Sequence, residues 1–404
     1  MKLNILFVDD EPHVLQGLQR MLRSMRDVWE ISTAASGLEA LELLSRKPAD
    51  VVVTDMRMPG MDGNQLLQEI KSRYPEIVRI VLSGQSDREM VLKSVRPAHQ
   101  YLSKPCRDEI LKATIERSCG LRELLTDNSL KRLISQIDSL PSQPALYVEI
   151  LRELESPYSS MHRIGEIISQ DLGMTAKVLQ LVNSAFFGFR RHISSPAEAA
   201  ELIGLETIKA LVLSVKIFSQ LDQASMRVFA VDRIWAHSLV TGIFAKTIAA
   251  AEKQERTVID DAFMAGLLHD AGKLILAANL PQQYKEALAA ARHHGGSELE
   301  TEQKTFGVTH AEVGAYLLAL WGLPIPIVEA LAFHHTPGRC SHKELGVLTA
   351  VHVGSALEHT LRGEEKADCQ PDMAYLADLQ ILHRIPEWQS LCGQAIKEGY
   401  GHDA

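Results

Sequence analysis

The sequence predicts an α/β domain built on a five-stranded parallel sheet, followed by an all-α region. Three observations carry this. Residues 1 to about 120 alternate short apolar runs (3–8, 29–34, 51–54, 79–82 and 100–103) with amphipathic stretches such as 12–23 and 63–73. Strands alternating with helices imply a parallel sheet covered on both faces. After Leu140 and Pro141 the chain becomes rich in Ala and Leu, and helical segments break at Pro157, Gly188, Pro196, Gly204, Pro281, Gly295, Pro324, Pro326 and Pro337. Third, 404 residues of which 46% are hydrophobic are enough for two to three domains with a sizeable core.

The formal net charge of −9 lacks the basic footprint of a nucleic-acid binder, and no basic recognition helix stands out, so a DNA-binding regulator is disfavoured. The short cluster Arg190, Arg191 and His192 reads as a solvated loop. Five cysteines, at 106, 119, 340, 369 and 392, form no Cys-x-x-Cys pair and read as free thiols in a reducing compartment. The first apolar run ends in Asp9 and Asp10, so it reads as a buried strand and not a signal peptide. No stretch reads as a membrane span, and a cytoplasmic protein is expected. The expected division is a first domain at 1–120, a helical linker at 121–137, an all-helical output domain at 138–360 and a C-terminal helical extension at 361–404. Residues 107–137 read as a terminal helix running into the linker. Gly120, Asp127 and Asn128 interrupt it, which argues against a sustained coiled coil.

Polar residues gather at the C-terminal ends of four strand candidates: Asp9 and Asp10 after the first, Asp55 after the third, Ser83 after the fourth, Lys104 and Pro105 after the fifth. In an open parallel sheet that edge is where ligands bind. Crowded carboxylates repel unless a divalent cation sits among them, and oxygen ligands suit Mg²⁺. A cation and a lysine would neutralise phosphate oxygens while a carboxylate attacks in line. Ser83 could hydrogen-bond the new phosphoryl group, and residues 58–63 form a turn beside Asp55. Any one of these alone is an ordinary strand-end polar residue; four in this order are a site.

Val-Asp-Asp-Glu at 8–11, Thr-Asp-Met-Arg-Met-Pro-Gly-Met-Asp-Gly at 54–63, Ser-Gly at 83–84 and Lys-Pro at 104–105 make residues 2–120 resemble the response-regulator receiver family. The resemblance implies a flavodoxin-like fold. It implies that Asp55 accepts a phosphoryl group from a histidine kinase or phosphotransfer protein. Mg²⁺ would be held by Asp9, Asp10, Asp55 and the backbone carbonyl of Arg57. It also implies a cis bond before Pro105 and a switch that couples Ser83 to Tyr101.

In the helical region, His269, Asp270 and Lys273 fall on a segment, 261–277, read as one helix. Asp270 shares its apolar face with Phe263, Leu267 and Leu274, while His269 and Lys273 share another. A buried carboxylate needs a metal or a partner. His237 lies on the apolar side of a helix through Ile234, Val240 and Phe244. Thr309 with Glu312 reads as a capping box that puts His310 in a first helical turn, and His334 and His335 end the helix that starts near Pro324. Inward His and Asp can build a metal phosphohydrolase site. The plainer readings are backbone-satisfied core histidines, helix-end histidines and an internal partner for Asp270.

Leu-Pro at 140–141, the runs 168–179 and 181–188, the segment 193–204, Trp-Ala-His-Ser at 235–238, Gly-Leu-Leu-His-Asp-Ala-Gly-Lys at 266–273 and His-Ala-Glu-Val-Gly at 310–314 make residues 133–360 resemble the HDOD family, a divergent branch of the HD superfamily. That family is all-helical and generally lacks demonstrated catalysis. Active HD enzymes add a late-helix carboxylate, and Ser355 stands in its place here. It lies on a face with Leu348 and His352, with Glu358 one turn on as a poor substitute. The Gly-Tyr-Pro signature of cyclic-di-GMP-cleaving relatives is absent. The expectation is a two-component response regulator in which Asp55 controls a non-catalytic HDOD domain acting on a protein partner. The alternative is a phosphorylation-regulated, metal-dependent phosphohydrolase acting on a nucleotide or cyclic dinucleotide. No direct nucleic-acid or membrane contact is expected; homodimerisation and a metal in the HDOD domain are left open.

Overall fold

The computed structural model describes residues 2–83, 97–120, 127–138, 140–142, 144–156, 158–183, 193–205, 208, 223–294, 297–363 and 370–400. Gly84, linker residues 121–126, Pro157, the motif residues 184–188, the cluster at 190–192, Gly295 and Cys369 lie outside them.

The first unit runs β1 (Leu3–Val8), α1 (Pro12–Met21), β2 (Trp29–Ala34), α2 (Gly37–Arg46), β3 (Val51–Asp55), α3 (Gly63–Arg73), β4 (Val78–Ser83), β5 (Gln100–Ser103) and α4 (Asp108–Gly120). All pairings are parallel, in the order β2-β1-β3-β4-β5. Strand period two divides the apolar residues between two layers. Ile5, Phe7, Val53, Ile80 and Leu102 pack with Leu15, Leu18, Leu111 and Ile115 of α1 and α4. Leu6, Val8, Val52, Val81 and Tyr101 pack with Ala40, Leu44, Leu66 and Ile70 of α2 and α3.

The helical part comprises α5 (Asn128–Ile134), α6 (Pro144–Glu155), α7 (Met161–Ser169), α8 (Leu172–Val182), α9 (Pro196–Ile203), α10 (Gln223–Val228), α11 (Val231–Ala251), α12 (Arg256–Leu268), α13 (Ala271–Asn279) and α14 (Pro281–His294). It continues through α15 (Glu298–Phe306), α16 (His310–Leu320), α17 (Ile325–Phe333), α18 (Val347–Leu361), α19 (Met373–Asp378) and α20 (Ile385–Tyr400). One expectation needs correcting: α11, with a mean hydropathy of 1.3 over its most apolar window, is long and apolar enough to cross a membrane. Here it is the central core helix, packed on α12, α18 and α20. The chain after residue 361, polar on average, still docks: Trp388 and Cys392 are fully buried, and Trp388 donates to Glu252 at 2.9 Å.

The two parts share one apolar cluster, because Leu111 and Ile115 of α4 and Leu130 and Ile134 of α5 join the helical core. Polar bonds lock the seam. Arg79, 1% exposed, donates to the carbonyls of Pro97 (2.5 Å), Pro75 (3.0 Å) and Ser135 (2.7 Å), and its N–H goes to His99 Nδ1 at 3.1 Å. His99 Nε2 then reaches Ser135 O at 3.0 Å, and Gln180 of α8 donates to His99 O at 3.1 Å. Gln100 donates to Leu320 O at 3.0 Å, Arg117 to Gly322 O at 3.2 Å, and Lys71 pairs with Asp138 at 2.5 Å. Gly322 has φ of +81°, and a Cβ there would land on the Gln100 carboxamide. Only glycine meets both constraints.

Candidate functional sites

The parallel register brings the strand-end residues to one edge: Thr54 pairs with Val8, Asp55 with Leu82, and Ser83 with Ser103. Lys104 Nζ lies 2.5 Å from Asp55 Oδ1 and 2.7 Å from Asp9 Oδ2. The Arg57 N–H donates to Asp55 Oδ2 at 3.0 Å, and the Glu11 N–H to Asp9 Oδ1 at 3.0 Å. Asp10 follows at the rim, half-buried; Ser83 is fully buried at the end of β4. Burial pushes the Asp55 carboxyl above the usual range against the pull of Lys104. Burial also works against the Lys104 charge, but Asp55 and Asp9 more than restore it. The Lys104–Pro105 bond is cis, and Gly60 (φ +77°) turns the loop after Asp55. Two carboxylates sharing one ammonium, with a third at the rim, fit a hard divalent cation. Tyr101, expected in a switch with Ser83, is 1% exposed; burial raises its phenol well above its ordinary range, and Asp138 across the seam adds to this.

The second cluster corrects the single helix read over 261–277. The helix stops at Leu268 and restarts at Ala271, with His269 and Asp270 in the break. Just past the break, Gly272 permits a close approach: a Cβ there would strike the His310 carbonyl, so α13 lies directly against the first turn of α16. The capping box expected there is present, Glu312 accepting the Thr309 N–H at 2.8 Å. His269 and Lys273, expected on a face apart from Asp270, both converge on it.

Asp270, 2% exposed, is the hub. Its Oδ2 lies 2.7 Å from Lys273 Nζ, 3.7 Å from His269 Nε2 and 3.8 Å from His237 Nε2. Its Oδ1 lies 3.2 Å from His310 Nε2 and 3.9 Å from His334 Nε2. Four imidazoles are aimed by bonds at their far nitrogen. His237 Nδ1 meets Glu358 at 2.6 Å, His269 Nδ1 meets Gly266 O at 2.7 Å, His310 Nδ1 meets Glu302 at 2.7 Å, and His334 Nδ1 meets Leu331 O at 2.8 Å. An imidazole that donates Nδ1–H to an acceptor presents a lone pair at Nε2, the orientation of a metal ligand. His237 and His269 then face each other Nε2 to Nε2 at 3.1 Å, and His310 faces His335 likewise at 3.1 Å. Each such contact needs an extra proton or a cation between the rings. His334 Nε2 and Asp270 Oδ1 are buried without a hydrogen-bond partner of good geometry. Asp270, His310, His334 and His335 each bring one ligand atom within 4.8 Å of the others, as do His237, His269 and Asp270. The donor set therefore fits a divalent cation on either side of Asp270.

The same groups also balance charge without one. Burial opposes ionisation of Asp270, but Lys273 and the imidazoles hold its carboxyl well below the usual range. Burial likewise opposes protonation of His310, yet Glu302 and Asp270 raise it to about 9. Burial lowers His269 to about 3 and holds His334 and His335 well below 6.5. Ser355 Oγ stands 3.5 Å from His237 Nε2, on the face where a carboxylate was expected. Glu358 does not replace it, since it meets His237 from the Nδ1 side. A cavity of about 320 Å³ opens onto His237, Asp270 and Lys273, and its lining mixes Arg233, Arg292 and Arg362 with Glu298 and Glu358. Sequence reading missed Glu302, Glu358 as an orienting partner, and the arginines of this cavity. Glu302 carried a signal, lying between Leu299 and Phe306 on the apolar face of its helix.

Two families match the chain: the response regulator receiver domain over residues 5–116 and the HDOD domain over 140–337. An uncharacterized protein of Treponema pallidum is 28% identical over 237 residues, 57% of this chain and 44% of that one. The hydrogenase transcriptional regulatory protein HoxA of Cupriavidus necator is 34% identical over 160 residues, 39% of this chain and 32% of that one. The chain thus spans less than half the length of these curated relatives. The MmoQ response regulator of Methylococcus capsulatus overlays with a TM-score of 0.45 at 26% identity, covering 61% of this chain and 98% of that structure. The chain joins a receiver domain to an HDOD domain.

Proposed function

We propose that Asp55 accepts a phosphoryl group from a histidine kinase or phosphotransfer protein and thereby controls an HDOD domain that works by binding a protein partner, not by turnover. At the receiver edge, a carboxylate oxygen of Asp55 attacks phosphorus in line as the bond to the donor histidine breaks. Lys104 moves its charge from Asp55 to the phosphoryl oxygens, and Ser83 hydrogen-bonds one of them. Asp9, Asp10, Asp55 and the Arg57 carbonyl would hold Mg²⁺, which supplies further neutralisation of the phosphoryl charge. Incubation with a small phosphodonor and Mg²⁺ should add one phosphoryl group to the chain. Asp55→Asn should abolish it; acid-stable labelling of that variant would move the site elsewhere.

The observation that carries the non-catalytic reading is the charge balance around Asp270. Lys273 and a protonated His310 answer Asp270 and Glu302 within the chain, while a neutral Ser355 occupies the fourth ligand position beside His237. A neutral oxygen offsets little of a divalent charge, so metal affinity should be weak. The cluster then serves as a polar network that fixes helix packing around the partner-binding domain.

A second reading, metal-dependent phosphohydrolysis, rests on the four oriented Nε2 atoms and the adjoining cavity with its arginines. In that reading His237, His269 and Asp270 hold one cation and Asp270, His310, His334 and His335 another. The cations would supply an activated water. A hydrolysis screen of nucleotides and cyclic dinucleotides with Mn²⁺, Mg²⁺ and Fe²⁺ separates the two. The leading reading expects no turnover above that of Asp270→Ala; robust hydrolysis lost in that variant overturns it.

A further inference from the structure

Outside the Asp270 cluster, Glu329, Cys340 and His342 each bring one ligand atom within 4.8 Å of the others. We propose that these three residues form a zinc clip that fastens the loop after His335 to α17. Each comes from a different local structure. Glu329 projects from α17. Cys340 closes the single 3-10 turn of Pro337–Arg339, its N–H bonded to Pro337 O at 3.1 Å, and His342 follows two residues on. His342 Nδ1 is already 3.0 Å from Glu329 Oε1. Tetrahedral zinc with sulfur at about 2.3 Å and nitrogen and oxygen at about 2.0–2.2 Å places its ligands roughly 3.3–3.6 Å apart. The His–Glu edge is near that spacing, and the thiol edges close with rotamer changes of two long or exposed side chains.

The burial is graded as such a site requires. Cys340 is 3% exposed, the Glu329 side chain 21% and the His342 side chain 68%, which leaves a fourth position for water. Burial keeps the free Cys340 thiol above its ordinary range, so coordination would release its proton to solvent. One thiolate, one imidazole and one carboxylate favour borderline-soft Zn²⁺ over Mg²⁺ or Ca²⁺. The plainer alternative, an exposed His–Glu pair beside a core thiol, predicts no metal–sulfur bond.

The loop concerned runs from His335 to the start of α18, which carries Ser355. Its two sides are further tied by His352, which reaches His334 O at 2.6 Å and accepts the Asp372 N–H at 2.7 Å. A clip at Glu329 would therefore steady the element that presents His334 and His335.

Co²⁺ is the probe, added to chelator-stripped full-length protein. The expected result is thiolate-to-cobalt charge-transfer absorption that saturates at one equivalent and is bleached by Zn²⁺. Cys340→Ser should lose it. His342→Ala, a surface change that leaves the fold intact, should weaken Co²⁺ binding by more than about tenfold, since loss of a direct ligand costs at least as much as loss of an outer-shell partner. His310→Ala should keep the band, because no cysteine belongs to the Asp270 cluster. Absence of a thiolate band at saturating Co²⁺, its survival in Cys340→Ser, or undiminished affinity in His342→Ala would each overturn the proposal.

Discussion

Replacing Asp270 by alanine, with divalent ions chelated, should destabilise the helical domain. The carboxylate sits 2.7 Å from Lys273, whose side chain is 16% exposed, and 3.2 Å from His310, whose side chain is 2% exposed. Alanine leaves an ammonium and a protonated imidazole sharing one buried space, answered by Glu302 and by Glu298 at the cavity. Removing one partner of a buried ion pair costs about 3–5 kcal/mol, because the remaining charge stays desolvated. A domain of roughly 200 residues loses about 2–4 °C of Tm per kcal/mol, so the melt should fall by roughly 6–20 °C. Lys273→Met on the same background should restore much of the loss, since two apolar groups replace a broken pair. Thermal melts by circular dichroism in chelator read both variants. A Tm within about 2 °C of wild type would refute the reasoning: Asp270 would then be held for a metal, not for its neighbours.

Other outcomes follow from the seam. Burial and Arg79 hold His99 well below its usual range, so it stays neutral in the fold while the unfolded chain protonates below about 6.5. Its contribution is therefore complete above that pH and falls by about 1.4 kcal/mol per pH unit below it; His99→Gln should remove one proton's worth of acid sensitivity from chemical melts at pH 5 to 7, and an unchanged slope would count against it. Gly322→Ala should cost about 1–3 kcal/mol through its positive φ and collision with Gln100, and should loosen the receiver from the HDOD domain, raising proteolysis of the linker. Unaltered cleavage would mean that Gln100 and Leu320 do not hold the seam.

The receiver fold was legible strand by strand because local and global signals agree there. Three strands begin and end where the alternation placed them, and β3 and β4 differ only by flanking residues. Asp9, Asp55, Ser83 and Lys104 meet because a parallel sheet brings strand ends to one edge whatever the loops do. The Asp270 cluster was legible as a set of residues but not as geometry. Helical periodicity carried one helix through residue 270, whereas the chain breaks at His269 and Asp270, beside a Gly272 that packs on the His310 carbonyl 38 positions away. Glu358 was seen as a stand-in ligand because spacing tells which turn a residue occupies, not which nitrogen of His237 it meets. Arg79 and His99 gave no functional signal, because their partners across the seam, Ser135 and Gln180, are far off in sequence and only tertiary packing joins them.

The central claim is that phosphorylation of Asp55 reaches the HDOD domain across this seam. A shift of a few kcal/mol in the packing around Tyr101, Arg79 and Ser135 would suffice. Hydrogen exchange with and without beryllofluoride and Mg²⁺, followed over residues 97–140 and through α16, tests it directly. Protection should change at Gln100, in α5 and in α16 as well as around Asp55, with no change in Asp55→Asn. Identical protection beyond the receiver edge in both states would contradict it.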